Sequence, residues 1–329
     1  MKRISTLTLF LVLGLSAMAQ KPELYEVRAK NGDKTSQYNL ALCYDNGWGT
    51  EKDYVQAVYW YTRAAEQGHA KAQYNLGICH AKGLGVEKDI NKAIHWYTKA
   101  ANQGITDAQY NLALCYKEGN GIDKDYDKAV FWFTRAAKEG LVSAQYALGN
   151  CYLNGEGVEK NNDMAILWLT KAAEQGHTKA QYNLGIAYTN NQDYTPAAQW
   201  FTEAAKKGHA GAQYCLGLCY AKGWGVGQDD IQAIDWYQQA ANQGYADAQY
   251  NLGNCYYKGV GVTQDFKQAV RWYSKAAIQG LADAQYSLGV CYYQGEGVEQ
   301  DNDKALYWIE MAAKQGLALA KEALETIKE

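Results

Sequence analysis

The sequence predicts an all-α fold, a right-handed superhelical solenoid of antiparallel helix pairs. A segment typified by Ala-Gln-Tyr-Asn-Leu-Gly occurs eight times along the 329 residues. Successive copies are 36 residues apart, except for one interval of 32. Within each interval, apolar residues recur every three or four positions in two segments, which is the helical period. A unit of this size cannot bury its apolar face alone, so neighbouring units stack into one array.

Residues 1–19 resemble a secretory signal peptide. Lys2 and Arg3 precede an apolar run, and Ala17-Met18-Ala19 forms a cleavage site of the small-x-small type. The run is roughly half as long as the stretch of ~20 residues that spans a bilayer. We therefore expect cleavage before Gln20, no stable membrane insertion of the mature chain, and a periplasmic or secreted location. The absence of Asn-x-Ser/Thr glycosylation sites favours a bacterial protein.

The charge of the chain argues against a nucleic-acid partner. Its formal net charge is −3, with 32 Lys and Arg residues against 35 Asp and Glu residues. A protein that neutralises phosphates needs clusters of basic residues that release counterions on binding. We expect protein or peptide partners, no nucleic acid, and a monomer.

The repeat unit, taken from Ala72 to Ile105, begins with a helix that we call the A helix. Ala72, Leu76 and His80 are four residues apart and form one helical face. Gly77 on this helix permits close approach of a neighbouring helix. The A helix ends at Gly83-Leu84-Gly85-Val86, where two glycines permit a tight reversal of the chain.

The second helix of the unit, the B helix, begins after Asp89, which is placed to cap it. Its apolar stripe includes Ala93, Trp96 and Ala100, and it ends at Gln103-Gly104, where the glycine suits the residue after a helix C-terminus. One tryptophan per repeat occupies the same B-helix position, which is typical of core packing. These residues are Trp60, Trp96, Trp132, Trp168, Trp200, Trp236, Trp272 and Trp308.

The repeats divide the chain into four parts. Residues 1–19 form the signal peptide, residues 20–34 an N-terminal half-repeat helix, residues 35–316 the eight tandem repeats, and residues 317–329 a C-terminal capping helix. The fifth repeat is shorter by four residues because the Gly-x-Gly-Val turn is missing between Tyr188 and Asp193. Pro196 then falls in the first turn of the following helix, where its missing N–H is tolerated.

The consensus resembles a known repeat. In Ala248–Gly280 it reads Ala-x-x-x-Leu-Gly-x-x-Tyr, then Gly-x-Gly-Val, Asp, and Ala-x-x-Trp-Tyr-x-Lys-Ala-Ala-x-x-Gly. This pattern is similar to the Sel-1-like repeat, a relative of the tetratricopeptide repeat, and it covers roughly residues 24–328. The resemblance implies a scaffold that binds proteins or extended peptides in a concave groove, without catalysis or a cofactor.

An enzymatic alternative comes from the same resemblance, because some cysteine-rich secreted members of the family are described as penicillin-binding or β-lactamase-like. The sequence lacks the Gly-x-Ser-x-Gly, His-Glu-x-x-His and Walker patterns. None of the serines after residue 19 has a lysine three positions later. His69, His177 and His209 occupy the same link position in separate repeats, so we interpret them as surface link residues rather than ligands of one metal ion.

Seven of the eight cysteines share one A-helix position, and Cys215 is the additional one. The seven are Cys43, Cys79, Cys115, Cys151, Cys219, Cys255 and Cys291. An even number of cysteines in a secreted chain is compatible with a disulfide framework. Stacked helices, however, lie about 8–10 Å apart, whereas a disulfide needs Cα atoms within about 7 Å. We expect eight free thiols that act as small buried hydrophobes.

The candidate binding residues form a tyrosine ladder and an asparagine row on the A helices. The tetratricopeptide pattern places these positions on the concave groove, where a tyrosine ring and an asparagine amide suit an extended polypeptide. The alternative is that both residue types only pack the repeats together. The tyrosine ladder comprises Tyr38, Tyr74, Tyr110, Tyr146, Tyr182, Tyr214, Tyr250 and Tyr286, and the asparagine row comprises Asn39, Asn75, Asn111, Asn183 and Asn251.

Overall fold

The computed structural model describes residues 21–328, with eighteen α-helices and no strand in that range. The first eight helices are Glu23–Lys30 (α1), Lys34–Asn46 (α2), Tyr54–Glu66 (α3), Ala70–Lys82 (α4), Ile90–Asn102 (α5), Thr106–Glu118 (α6), Tyr126–Lys138 (α7) and Val142–Asn154 (α8). The other ten are Asn162–Glu174 (α9), Thr178–Asn190 (α10), Tyr194–Lys206 (α11), Ala210–Lys222 (α12), Asp230–Asn242 (α13), Ala246–Lys258 (α14), Phe266–Ile278 (α15), Ala282–Gln294 (α16), Asn302–Lys314 (α17) and Ala318–Lys328 (α18). The expected signal peptide lies outside the described residues.

The helices form two compact units, one ending at Asn161 and the other beginning at Asn162. The first unit contains α1 to α8 and the second contains α9 to α18. Within each unit every helix packs on the next helix along the chain. The predicted all-α class of stacked helix pairs is confirmed. Every helix is shorter than 18 residues, and no helix of the described residues could cross a membrane.

Aspartates cap most of the B helices, as the sequence predicts. The Asp89 carboxylate accepts a hydrogen bond from the Lys92 N–H at 3.0 Å, and Asp125, Asp229, Asp265 and Asp301 cap their helices in the same way. These carboxylates satisfy amide groups that have no partner within the helix. Capping therefore accounts for the recurrence of these aspartates at the start of the B helices.

The Gly-x-Gly-Val turn depends on its second glycine for space as well as for conformation. Gly85 has a φ of +67°, and a Cβ atom built on it would lie 2.1 Å from the Tyr54 carbonyl oxygen. A side chain at this position would overlap the first turn of α3. At Gly85 the chain after an A helix thus passes close to the start of the preceding B helix.

The short fifth repeat uses a different turn. Gln192 adopts a φ of +64°, the one positive value for a non-glycine residue in the described range. Asp193 precedes α11 but makes no side-chain capping bond. Pro196 lies in the first turn of α11, as predicted. The four-residue deletion therefore removes both the glycine turn and the aspartate cap.

The core consists of small residues that let helices approach and large ones that fill the gaps. Gly77 is one example, since a Cβ atom there would lie 2.6 Å from the Tyr97 ring. Four of the repeat tryptophans, Trp60, Trp132, Trp168 and Trp272, are buried, and the other four are half-buried. The core interpretation is confirmed for the first four.

A row of buried glutamines joins consecutive repeats. The Gln73 amide nitrogen donates to the Ala65 carbonyl at 3.0 Å, and its oxygen accepts from Gln103 at 2.7 Å. The buried glutamine row comprises Gln37, Gln73, Gln109, Gln145, Gln181, Gln213, Gln249 and Gln285, each no more than 5 % exposed. Each side chain bonds a carbonyl in the last turn of the preceding B helix. The glutamines of the repeat signature thus donate hydrogen bonds to carbonyl groups at the end of the preceding B helix, and so join one repeat to the next.

Candidate protein-interaction groove

The tyrosine ladder lies between the core and the surface. All of its members are half-buried, including Tyr146 and Tyr286. Rings of the ladder pack on an aromatic residue of the B helix in the same repeat. For Tyr74 and Tyr97 the ring centroids are 6.1 Å apart, and the ring of Tyr110 lies 5.7 Å from that of Phe133. Each of these packed rings therefore has one side against the B helix and one part that reaches solvent.

The next repeat also contributes to the surroundings of the ladder. The ring of Tyr182 stacks on the His209 imidazole at 4.5 Å, and Tyr214 lies 5.2 Å from Tyr245. The imidazole of His209 also caps α12, because its Nδ1 accepts a hydrogen bond from the Ala212 N–H at 3.2 Å. His69 and His177 cap α4 and α10 in the same way. The three histidines lie at the links, as the sequence predicts, and their capping role was not predicted.

The asparagine row bonds to tyrosine hydroxyls across the repeat boundary. The Asn75 amide donates to the Tyr61 hydroxyl at 3.0 Å. Burial raises the pKa of Tyr74, and a hydrogen bond from Asn111 partly opposes that rise. The same balance holds for Tyr214, where burial raises the pKa to about 12 against the hydrogen bond from Asn251. Asn183 is half-buried like the rest.

These contacts give the tyrosine ladder and the asparagine row a role in packing the repeats together, which does not depend on a partner. Tyr250 illustrates it, since its ring lies 5.9 Å from Tyr273 and inside the second unit. The binding role of the two sets stays a prediction. The part of each ring that reaches solvent is the only part a partner could contact without repacking the repeats.

Two adjoining cavities lie along the A helices of the second unit. The first, of about 310 Å³, is formed by α12, α13, α14 and the turn after α14. The second, of about 220 Å³, is lined by α14, α15 and α16. The cavities share Asn254 and Lys258. Asn251 of the asparagine row lines the first cavity and Tyr286 of the tyrosine ladder lines the second. We call the two cavities together the second-unit groove.

Some polar groups of the second-unit groove form hydrogen bonds within the protein. The Tyr273 hydroxyl donates to the Asn254 Oδ1 at 2.7 Å, which leaves the Asn254 amide nitrogen for a ligand. The Tyr257 hydroxyl donates to Glu296 at 2.6 Å, and this bond together with burial raises the pKa of Tyr257 to about 12. The Tyr257 hydroxyl proton is therefore already engaged by Glu296.

Two lysines give the second-unit groove a positive edge. Lys222 and Lys258 are exposed, and neither makes an ion pair within the described part of the chain. Asp230 also lines the first cavity. The balance of one carboxylate and two ammonium groups favours acidic groups on a bound partner.

Asn254, Tyr257 and Lys258 were not among the binding residues predicted from the sequence. They follow Asn251 at three, six and seven positions, so Asn254 and Lys258 lie on the same helical face as Asn251. A signal was present at Asn254, because most repeats place an apolar residue there, as with Leu42, Leu114 and Leu218. A polar residue at a position of the groove face that is apolar in most repeats therefore indicates a candidate binding residue.

A metal-binding site requires several His, Cys, Asp or Glu side chains close together. Within residues 21–328 no three His, Cys, Asp or Glu side chains are close enough together to hold a metal ion. No disulfide joins the eight cysteines, which lie between residues 43 and 291. The cysteines of the A helices face the interior of the stack, where six of the eight are buried.

Comparison with known proteins identifies the repeat. The Sel1 repeat profile matches eight consecutive segments, residues 35–69, 70–105, 106–141, 142–177, 178–209, 210–245, 246–281 and 282–317. A search of curated protein sequences gives no significant match.

Two solved structures are similar over most of the chain. The first is c5321, described as a protective antigen of uropathogenic Escherichia coli strains with an SLR fold, at 37 % identity and a TM-score of 0.81. It aligns with 93 % of this chain and 67 % of its own. The second is a Sel1 repeat protein from Oxalobacter formigenes, at 34 % identity and a TM-score of 0.73 over 93 % of this chain and 89 % of that one. Because the family profile covers residues 35–317 without a gap, the chain belongs to the Sel1 repeat family.

Proposed function

We propose that this protein is a secreted or periplasmic, non-catalytic scaffold that binds an extended segment of another protein in the second-unit groove. The observation that carries the proposal is the pair of adjoining cavities that share Asn254 and Lys258. They continue from one repeat to the next, as an elongated ligand requires. A Sel1 repeat scaffold is itself a fold suited to protein interaction.

The chemistry of the groove favours a polypeptide over a small molecule. Neighbouring A helices are about 10 Å apart, and an extended chain advances about 3.3 Å per residue, so each repeat faces about three residues. Tyr286 and Val290 offer apolar surface, while the Asn254 amide can bond a peptide carbonyl. Lys222 and Lys258 favour at least one acidic side chain on the ligand.

The proposed location rests on the leader-like residues 1–19 and on one relative. The c5321 protein of uropathogenic E. coli is described as a protective antigen. That description is consistent with export, which we propose for this chain as well.

The double substitution Asn254→Leu with Tyr273→Phe tests the groove. It reproduces the pair Leu114 and Phe133 of the third repeat, so we expect an unchanged melting temperature. The substitution removes the free amide of the groove and leaves no buried hydroxyl without a partner. We expect peptides selected by the mature chain from a displayed library to bind the variant at least tenfold more weakly, about 1.4 kcal/mol, by fluorescence anisotropy.

The matched control is Asn150→Leu, the same change at the equivalent position of the first unit. It should leave the affinity of those peptides unchanged. Equal affinity of the wild type and the double variant would contradict the proposal, and so would a library that yields no binding peptide.

A further inference from the structure

The B helices of the first three repeats carry exposed rings at one equivalent position. Tyr59 on α3, His95 on α5 and Phe131 on α7 each stand just before the repeat tryptophan and are exposed. The exposed fraction is 46 % for Tyr59 and 52 % for Phe131. Exposed apolar residues that are scattered singly need no explanation, whereas a recurring set indicates an interaction surface. None of the three rings belongs to the tyrosine ladder or the second-unit groove, so this surface is a separate one.

A basic side chain follows each of these rings one helical turn later. The Arg63 guanidinium lies 4.9 Å from the centroid of the Tyr59 ring, and the Arg135 guanidinium lies 5.2 Å from that of Phe131. The corresponding residue after His95 is a lysine. We call the three rings and the three cations the outer stripe, which comprises Tyr59, Arg63, His95, Lys99, Phe131 and Arg135.

The members of the outer stripe lie on successive B helices of the first unit. Trp96 of α5 packs against the core cluster that contains Trp60 of α3, so these two helices are neighbours. The Lys99 ammonium lies 4.7 Å from the Trp96 ring and is thus held over an aromatic residue, as are the two arginines. Packed helices are about 8–10 Å apart. The outer stripe therefore presents one positive charge about every 10 Å.

The three cations of the outer stripe have no anionic partner in the protein. Within the described part of the chain, Arg63, Lys99 and Arg135 form no ion pair. A guanidinium that stacks on a ring keeps the N–H groups at its edge available for a carboxylate. Arg135 also lines, together with Lys138, a crevice of about 350 Å³ in which Glu139 is the one carboxylate. This excess of positive charge favours acidic groups on a partner.

Other repeats show that the fold does not require the outer stripe. The equivalent pair is Gln199 with Glu203 in the fifth repeat and Asp235 with Gln239 in the sixth. The helices α3, α5 and α7 together contain six Lys and Arg residues against two Asp and Glu residues. In α11 and α13 the balance is one basic residue against three acidic ones. The combination of rings and cations is thus a property of the first three repeats, as expected for a binding surface.

We propose that the outer stripe binds an acidic segment of a partner polypeptide. An extended chain advances about 3.3 Å per residue, so one carboxylate at every third residue matches one cation about every 10 Å. The phosphates of a nucleic-acid strand follow one another at about 3.4 Å, and most of them would meet no cation here. A guanidinium already covers one face of the Tyr59 and Phe131 rings, which disfavours stacking of a base on them. The ring edges remain for aliphatic side chains of the partner.

Fluorescein-labelled peptides test this proposal by fluorescence anisotropy. The full mature chain carries Asn254→Leu and Tyr273→Phe, so that the second-unit groove contributes little. A peptide of repeated Glu-Leu-Ser should give a saturable signal at low salt, and its Gln-Leu-Ser counterpart should bind roughly tenfold more weakly. Adding Arg63→Gln, Lys99→Gln and Arg135→Gln should weaken the acidic peptide roughly tenfold. The melting temperature should stay close to that of the parent, because the three side chains are exposed.

Two further variants separate the outer stripe from general charge attraction. Lys267→Gln, Arg271→Gln and Lys275→Gln remove the same charge from α15 alone and should leave the affinity unchanged. Tyr59→Gln with Phe131→Gln keeps the charge and should weaken the acidic peptide roughly threefold, because the guanidinium groups lose their stacked rings. Equal losses in the two triple variants, or no loss without the rings, would overturn the proposal. Tighter binding of phosphatidylglycerol vesicles or of a short oligothymidylate, abolished by the first triple variant, would also overturn it.

Discussion

At the scale of single residues, the link histidines connect helix capping to the tyrosine ladder. His69 and His209 each accept a backbone hydrogen bond through Nδ1 and stack on a ladder ring at 4.5 Å. Burial lowers the pKa of His69, His177 and His209, with neighbouring lysines acting in the same direction. Protonation at Nδ1 removes the acceptor, so these caps exist only in the neutral form.

This arrangement predicts a loss of stability in mild acid. The pKa of each of these histidines in the folded protein lies below the ordinary value of about 6.5. At pH values between the folded and the ordinary pKa, the unfolded chain therefore binds more protons than the folded chain. The stabilising contribution is complete above pH ~6.5 and is lost as the pH falls through the folded pKa. Each lost cap should cost about 1 kcal/mol, so the melting temperature should decrease between pH 7.5 and 5.5.

The control replaces His69, His177 and His209 together with asparagine, which caps helices without titrating in this range. The variant should keep a nearly constant melting temperature, with a residual slope from His80, whose pKa burial also lowers. Hydrogen bonds lower the pKa of the Asp89, Asp125 and Asp301 caps, so these carboxylates stay ionised across this range and do not interfere. An identical slope in the wild type and the triple variant would show that other groups cause the dependence.

The buried cysteine thiols should react slowly in the folded protein. Burial raises the pKa of Cys79 and Cys291 to about 12 and that of Cys115 to about 11. The thiolate is the reactive form, so alkylation of these three thiols in the native protein at pH 8 should be more than about a hundredfold slower than that of a free cysteine with a pKa near 8.5. After denaturation without reductant, mass spectrometry should count eight alkylated cysteines. Four or fewer would indicate disulfides that the structure does not contain.

At the scale of the helix pair, the second glycine of the inner turn sets how closely a repeat meets the one before it. Gly85→Ala should destabilise the protein in two ways, through the left-handed φ, at about 1–2 kcal/mol, and through overlap with the Tyr54 carbonyl, at about 1–3 kcal/mol more. Gly68→Ala is the matched control, because Gly68 has a φ of +80° but nothing within 4 Å of an added Cβ. Urea denaturation measures both variants, and equal losses would mean that the close approach does not matter.

The helix pair was also the part of the fold that the sequence predicted best. Asp89 and the glycines of the inner turn are local signals, and their roles depend on backbone geometry alone. The capping role of His69 was not predictable in the same way, because histidine is not a usual N-cap and its identity there depends on the stacked ring of Tyr38. The pairing of Gln73 with Gln103 was missed since it joins residues of different repeats.

The candidate groove was predicted less completely than the fold. The tyrosine ladder and the asparagine row were located from their spacing, but spacing cannot tell how deeply a ring is buried. Tyr250 is half-buried because Tyr273 packs against it, a contact that depends on the angle between two helices. Asn254 could have been found as a polar residue at a position that is apolar in most repeats.

At the scale of the whole molecule, the repeat array presents chemically different surfaces at equivalent positions. Asn254 and Lys258 distinguish the second-unit groove from the same place in the third repeat, where Leu114 occupies the first position. Likewise, Glu139 stands at the position that Gln103 occupies in the second repeat. The fold repeats, while the interaction chemistry changes from one repeat to the next.

The central claim is that a polypeptide lies in the second-unit groove, and site-specific photo-crosslinking tests it most directly. A benzophenone amino acid replaces Ser287, which lines the second cavity, or Asp235, an exposed residue on α13 that lines neither cavity. After irradiation of cells that produce the protein, we expect crosslinks to a polypeptide from position 287, few from position 235, and loss of the crosslinks from position 287 in the Asn254→Leu, Tyr273→Phe background. Equal crosslinking from both positions, or none from position 287, would contradict the account.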